Sequence, residues 1–134
     1  MPWTHRQTIR LRHIDAAGVI FYPRLLELTH EAYEALLDEL GQPLADTLAS
    51  GRPIAPIVRC EANYRRPMTI GMELTIEVSV VREGKSSYTL GYVFRDDADQ
   101  EMAQVQVTHA AIDRGTGRSV RLTDEMRRGL NALR

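Results

Sequence analysis

The sequence predicts an α+β domain in which one long helix is wrapped by a single antiparallel β-sheet. Three observations predict it. Apolar residues recur with helical spacing over one stretch only, near residue 30; four later stretches alternate with period two; and 134 residues make one domain's worth of chain. A chain of this length buries about 68–70% of its unfolded surface, and a 43% hydrophobic fraction beside 26% charged residues supplies the core for that. No linker, low-complexity stretch or internal repeat divides residues 1–134, which read as a single domain.

Residues 5–12 read as the first strand. The loop Asp15-Ala16-Ala17-Gly18 and the apolar run Val19-Ile20-Phe21-Tyr22 lead to Pro23, whose fixed φ and missing N–H suit the first residue of a helix. From there Leu25, Leu28, Ala32, Leu36 and Leu40 form one stripe, with Leu26, Tyr33 and Leu37 beside it and Glu27, Glu31, Glu34 and Asp38 on the other face. Gly41 and Pro43 stop that helix. After a polar loop over 45–53 the period changes to two: Val58 to Tyr64, Leu74 to Val80, Tyr88 to Phe94 and Val105 to Ala111 each alternate apolar with polar residues, as strands with one buried face do. Turn signals stand at Gly71, Glu83-Gly84, Asp96-Asp97 and Gly115 to Gly117. A short helix from Asp124 to Leu133, capped by Thr123, closes the chain.

A long helix inside such a sheet is the hotdog arrangement. One unit leaves the sheet edges open, so pairing with a second copy is expected. Composition excludes other classes. Seventeen basic and 18 acidic residues give a net charge of −1, with no basic half for a nucleic acid to use. No apolar run approaches the ~18 residues of a membrane span. The polar N-terminus lacks a secretory h-region, and one cysteine, Cys60, forbids an internal disulfide, so the expected compartment is the cytoplasm.

Chemistry concentrates at Asp15. It ends a strand, beside small residues and Gly18, seven positions before Tyr22 and the helix start. Helix N-termini present unpaired N–H groups and a partial positive charge, so the Tyr22 amide is placed to hold a carbonyl oxygen that becomes more negative during attack. A carboxylate and an oxyanion donor on one turn are the minimum kit for attack on an activated acyl group. On the residues alone, a carboxylate that merely caps its loop turn is the commoner case.

The run Asp15-Ala16-Ala17-Gly18-Val19-Ile20-Phe21-Tyr22, followed by Leu25-Leu26-Glu27 and His30-Glu31-Ala32-Tyr33-Glu34, resembles the 4-hydroxybenzoyl-CoA thioesterase family of hotdog proteins. Further matches are Pro56-Ile57-Val58, Arg65-Arg66-Pro67, Gly71, Lys85-Ser86-Ser87-Tyr88 and Thr108-His109, so the resemblance runs from residue 5 to about 113. It implies hydrolysis of acyl-CoA thioesters without metal or organic cofactor, in tetramers built from dimers. It places the family's carboxylate on Asp15, as general base or nucleophile, and its helix-start amide on Tyr22. Tyr22 stands where cell-envelope members often carry His; Pro23 resembles the 4-hydroxybenzoyl-CoA enzyme; the Asp-Ala-Ala-Gly and His-Glu-Ala-Tyr-Glu runs resemble 1,4-dihydroxy-2-naphthoyl-CoA hydrolases. An aromatic acyl group is therefore the first expectation. The alternatives are a short- or medium-chain aliphatic acyl-CoA, or a non-catalytic module binding acyl-CoA or an acyl carrier.

Gly18 belongs with the substrate-contacting set, and Lys85, Ser86 and Ser87 read either as donors to CoA phosphates or as an ordinary exposed hairpin. Gly84-Lys85-Ser86 is no P-loop, because Ser79 stands where the first glycine belongs. Glu31 and Glu34 read as solvated helix face, His30 as semi-core, and His109 and Cys60 as core. A rival set, His13 and Asp15 with His109, has the composition of a two-His-one-carboxylate iron site, but such sites sit on long all-β scaffolds and a helix begins directly after the pair. No Gly-x-Ser-x-Gly elbow is present.

Overall fold

A computed structural model describes residues 2–134. The order is β1 (Trp3–Thr8), a 3₁₀ turn (Leu11–His13), α1 (Tyr22–Glu39), α2 (Leu44–Ser50), β2 (Ile57–Tyr64), β3 (Glu73–Glu83), β4 (Ser87–Arg95), β5 (Glu101–Ala110) and α3 (Asp124–Ala132). The strands form one antiparallel sheet in the order β1-β3-β4-β5-β2. Register shifts in the β3–β4, β4–β5 and β2–β5 pairings bend it.

The helix lies against the sheet face that carries the alternating apolar residues. Leu25, Leu28, Ala32 and Leu36 of α1 are buried with Leu74, Ile76 and Val78 of β3, Leu90, Tyr92 and Phe94 of β4, and Val105 and Val107 of β5. Truncating any fully buried Leu here costs about 2–5 kcal/mol. Gly41 adopts φ +74 just past the helix and permits the reversal there. Thr123 accepts a hydrogen bond from the Met126 amide and starts α3, as expected.

Three expectations need correction. The first strand is Trp3–Thr8 rather than residues 5–12: Ile9 turns into the core, and His13 Nδ1 accepts the Arg10 N–H, which winds 11–13 into a 3₁₀ turn. The polar loop over 45–53 contains α2, closed by Gly51 at φ +76; seven residues are too few to show a helical period. Most consequentially, β2 is an edge strand, and Val58, Cys60 and Tyr64 are exposed where a buried face was expected. The helix covers the middle of the sheet and leaves that edge open.

Glu83, at the end of β3, receives Arg127 of α3 at 2.6 Å and Arg134 at 3.0 Å. Hydrogen bonds from Arg134 and Arg127 hold its carboxyl below the usual 4.5, against the opposing effect of burial. A lowered folded-state value stabilises the fold above the ordinary carboxylate range, and that stabilisation is lost as pH falls through the folded value. Because the arginines are partly exposed, Glu83→Gln lowers stability at pH 7 by up to about 1 kcal/mol in urea melts. The gap between parent and variant closes on acidification below about pH 4; a gap that stays constant into that range would show that the charges are not its source.

Candidate active site

Residues 13–21 form a closed loop. Phe21 N–H donates to the His13 carbonyl at 2.8 Å, and Ile14 and Ile20 face each other as an antiparallel bridge. At its tip Asp15 N–H donates to the Val19 carbonyl at 2.9 Å and Gly18 N–H to the Asp15 carbonyl at 3.0 Å. Gly18 takes φ +83 to close this turn, a conformation that costs a residue with a Cβ about 1–2 kcal/mol. The loop is seated on the chain before β3, where Val19 bridges Thr69 and Ile20 N–H reaches the Met68 carbonyl at 2.8 Å. Asp15 Oδ1 accepts the Ala17 N–H at 2.8 Å, whereas Oδ2 has no hydrogen-bond partner among the described residues. The carboxylate is thus oriented by one oxygen and available at the other.

The helix opens next to it without a capping side chain. Phe21 occupies the N-cap, where Ser, Thr, Asp or Asn would serve, and Pro23 has no N–H. Arg24 N–H is taken by the Phe21 carbonyl at 2.8 Å. Tyr22 N–H has no acceptor among the described residues. The Tyr22 carbonyl, by contrast, accepts the hydroxyl of Tyr64 at the end of β2. The first peptide of α1 is therefore held while its donor is left empty at the positive end of the helix dipole. Burial, chiefly, and then Arg12 lower the pKa of His13, which favours the neutral ring whose Nδ1 accepts Arg10 N–H. His13 is buried and structural, an anchor for the loop rather than a surface residue of it.

Asp15 and Gly18 thus share this loop, and the Tyr22 amide follows directly after it. Lys85, Ser86 and Ser87 are not part of this group. They sit at the far end of β3, and eleven residues of strand at about 3.3 Å each separate the ends by on the order of 30 Å. Ser87 Oγ accepts from Arg82 at 2.9 Å, and the Lys85 and Ser86 carbonyls take Leu122 N–H and Ala111 N–H. Glu31 and Glu34 are exposed, and His30, also exposed, contacts Glu34 at 3.4 Å. His109 is in the core, stacked on the rings of Tyr33 and Tyr88. Among the described residues no three His, Cys, Asp or Glu side chains are grouped to hold a metal ion. Tyr64 escaped sequence reasoning, since strand parity alone gives no sign that its hydroxyl reaches a helix terminus.

Residues 9–130 match the thioesterase-like superfamily. The chain belongs to that superfamily. Among its relatives are two proteins named 1,4-dihydroxy-2-naphthoyl-CoA hydrolase. The one from Prochlorococcus marinus is 35% identical over 97% of this chain and 88% of its own. The one from Trichodesmium erythraeum is 31% identical over 97% of this chain and 96% of its own. A crystal structure of a 1,4-dihydroxy-2-naphthoyl-CoA thioesterase from Synechocystis superposes with TM-score 0.92 at 21% identity, over 99% of this chain and 98% of that one, and it shows the shared hotdog fold.

The turn geometry is testable apart from turnover. A Cβ built on Gly18 meets nothing within 4 Å, so Gly18→Ala introduces no clash, only a strained φ. It should lose about 1–2 kcal/mol in urea unfolding. A variant as stable as the parent would mean that Gly18 is not held in the left-handed region.

Proposed function

We propose that this chain hydrolyses an aromatic acyl-CoA thioester to the free acid and CoA, a hydroxylated naphthoyl or benzoyl group being the preferred acyl part. The observation that carries this reading is an available Asp15 carboxylate oxygen on a closed loop that leads directly into the unpaired Tyr22 amide. The names of the two relatives at 35% and 31% identity support the acyl class.

The thioester carbonyl oxygen rests against Tyr22 N–H. Asp15 removes a proton from water as the oxygen of that water bonds to the carbonyl carbon, and the negative charge moves onto the carbonyl oxygen, where the helix-start donor stabilises it. Collapse of this intermediate breaks the C–S bond and releases the CoA thiolate, which takes up a proton. Thiolate leaves readily, so no strong general acid is required. A direct attack by the Asp15 carboxylate, forming a mixed anhydride that water then opens, uses the same two groups.

The working unit in this reading is a homo-oligomer, a dimer or a tetramer built from two dimers. On one chain Asp15 and Tyr22 are exposed, and so are Ile57, Val58 and Tyr64 on the edge strand β2. A second copy against β2 satisfies the edge and covers this apolar surface. Lys85, Ser86 and Ser87, too far from Asp15 within one chain, then meet the CoA phosphates from a neighbouring copy. The cytoplasm, where acyl-CoA is made and used, is the compartment that fits.

Free-thiol release from naphthoyl-, benzoyl-, phenylacetyl- and aliphatic acyl-CoAs tests the reading. Aromatic thioesters should give the higher kcat/KM, and Asp15→Asn should lower kcat by about 10²-fold or more without changing the assembly. Saturable binding without thiol release would make the chain a binding module; full turnover by Asp15→Asn would remove this carboxylate from the chemistry.

A further inference from the structure

Two cavities lie along α1. The smaller, about 150 Å³, is bounded by Leu26 and Thr29 of the helix and by Cys60 of β2. The larger, about 280 Å³, lies beneath Leu36 and Leu40 of the helix, with Leu48 of α2 and Leu130 of α3. Four residues line both: His30, Tyr33, Ile57 and His109. The cavities are consecutive chambers that share one wall.

The chambers are also ordered relative to the Tyr22 amide. Tyr64 touches the Tyr22 carbonyl, Cys60 shares the smaller chamber with Leu26 and Thr29, and Ile57 shares the wall with His30 and Tyr33. The edge strand therefore runs back along the helix, from the helix start to the wall. With a rise of 1.5 Å per residue, Leu26 lies about 6 Å and Tyr33 about 16 Å beyond the Tyr22 amide along the axis.

The wall is rigid at its centre. The Tyr33 and His109 rings stack with centroids 4.6 Å apart, His109 stacks on Tyr88 at 4.8 Å, and the Tyr33 and Tyr88 hydroxyls are 2.7 Å apart. His109 Nδ1 contacts the Ala55 carbonyl at 2.8 Å, while its buried Nε2 has no partner among the described residues.

We propose that Tyr33, stacked on His109, is a specificity-determining partition: it confines the acyl group to the first chamber and closes the second, apolar chamber to long chains. This rests on the thioesterase reading above, with the acyl group lying along α1. A compact ring system ends before the partition, whereas an extended chain of about fourteen or more carbons reaches the depth of Tyr33.

The test compares kcat/KM for 4-hydroxybenzoyl-CoA and palmitoyl-CoA. Tyr33→Ala opens the chambers to each other and should raise the palmitoyl-to-benzoyl ratio at least 10-fold. Tyr33→Phe keeps the ring and should give no such gain. Ile57→Ala thins the same wall from the exposed edge strand and should shift the ratio in the same direction, so the proposal stands or falls on it should Tyr33→Ala not fold. A ratio unchanged in every folded wall variant, or raised equally by Tyr33→Phe, overturns the partition. If the parent releases no thiol from any acyl-CoA, the failure lies in the thioesterase reading instead.

Discussion

The site depends on how the first peptide of α1 is held. Three contacts converge there: Phe21 N–H on the His13 carbonyl, Ile20 N–H on the Met68 carbonyl, and the Tyr64 hydroxyl on the Tyr22 carbonyl. Each uses up a neighbouring polar group, and none uses Tyr22 N–H. Most helix termini satisfy their orphan donors with a side-chain cap or water; this one has Phe at the cap and Pro at the next position but one, and so keeps its opening donor unspent. Preorganisation of this kind is what gives an oxyanion donor its value, because nothing has to rearrange when charge develops.

Helix burial makes that rigidity possible. Leu25 and Leu28, in the first turns of α1, are almost wholly inaccessible and pack over the middle strands, so the helix start cannot drift from the sheet. At the far end the Trp3 indole donates to Glu39, tying the helix to β1. The same placement leaves β2 outside the cover of the helix. Stability of the central sheet and openness of its edge are thus two results of one packing decision, and Asp15 and Tyr22 are exposed.

Much of this was legible in the sequence, for physical reasons. The helix showed because its stripe repeats over five turns, and β3, β4 and β5 showed because their apolar residues alternate in sequence, although β4 buries the five consecutive positions 88–92. Pro23 and Gly41 marked the helix limits within a residue or two. The loop that carries Asp15 and Gly18 and leads into Tyr22 was readable because it is local in the chain. What sequence missed depended on distant contacts. The short α2 has too few turns to display a period. Cys60 alternates like a core residue and yet lies exposed, because parity tells which face a residue takes but not whether anything covers that face. Tyr64 and the Tyr33–His109 stack join residues 42 and 76 positions apart, and no local pattern reports such pairs.

The most direct measurement replaces the Tyr22 backbone N–H by an ester oxygen, introduced as the α-hydroxy analogue of tyrosine, and follows acyl-CoA hydrolysis and thermal unfolding together. Because that N–H has no acceptor among the described residues, the folded chain should melt close to the parent temperature. Turnover should fall by about 10²–10³-fold, the usual consequence of removing one oxyanion donor. Parent-like turnover in the ester-substituted chain would contradict the account, since the donor on which it is built would then take no part in the reaction.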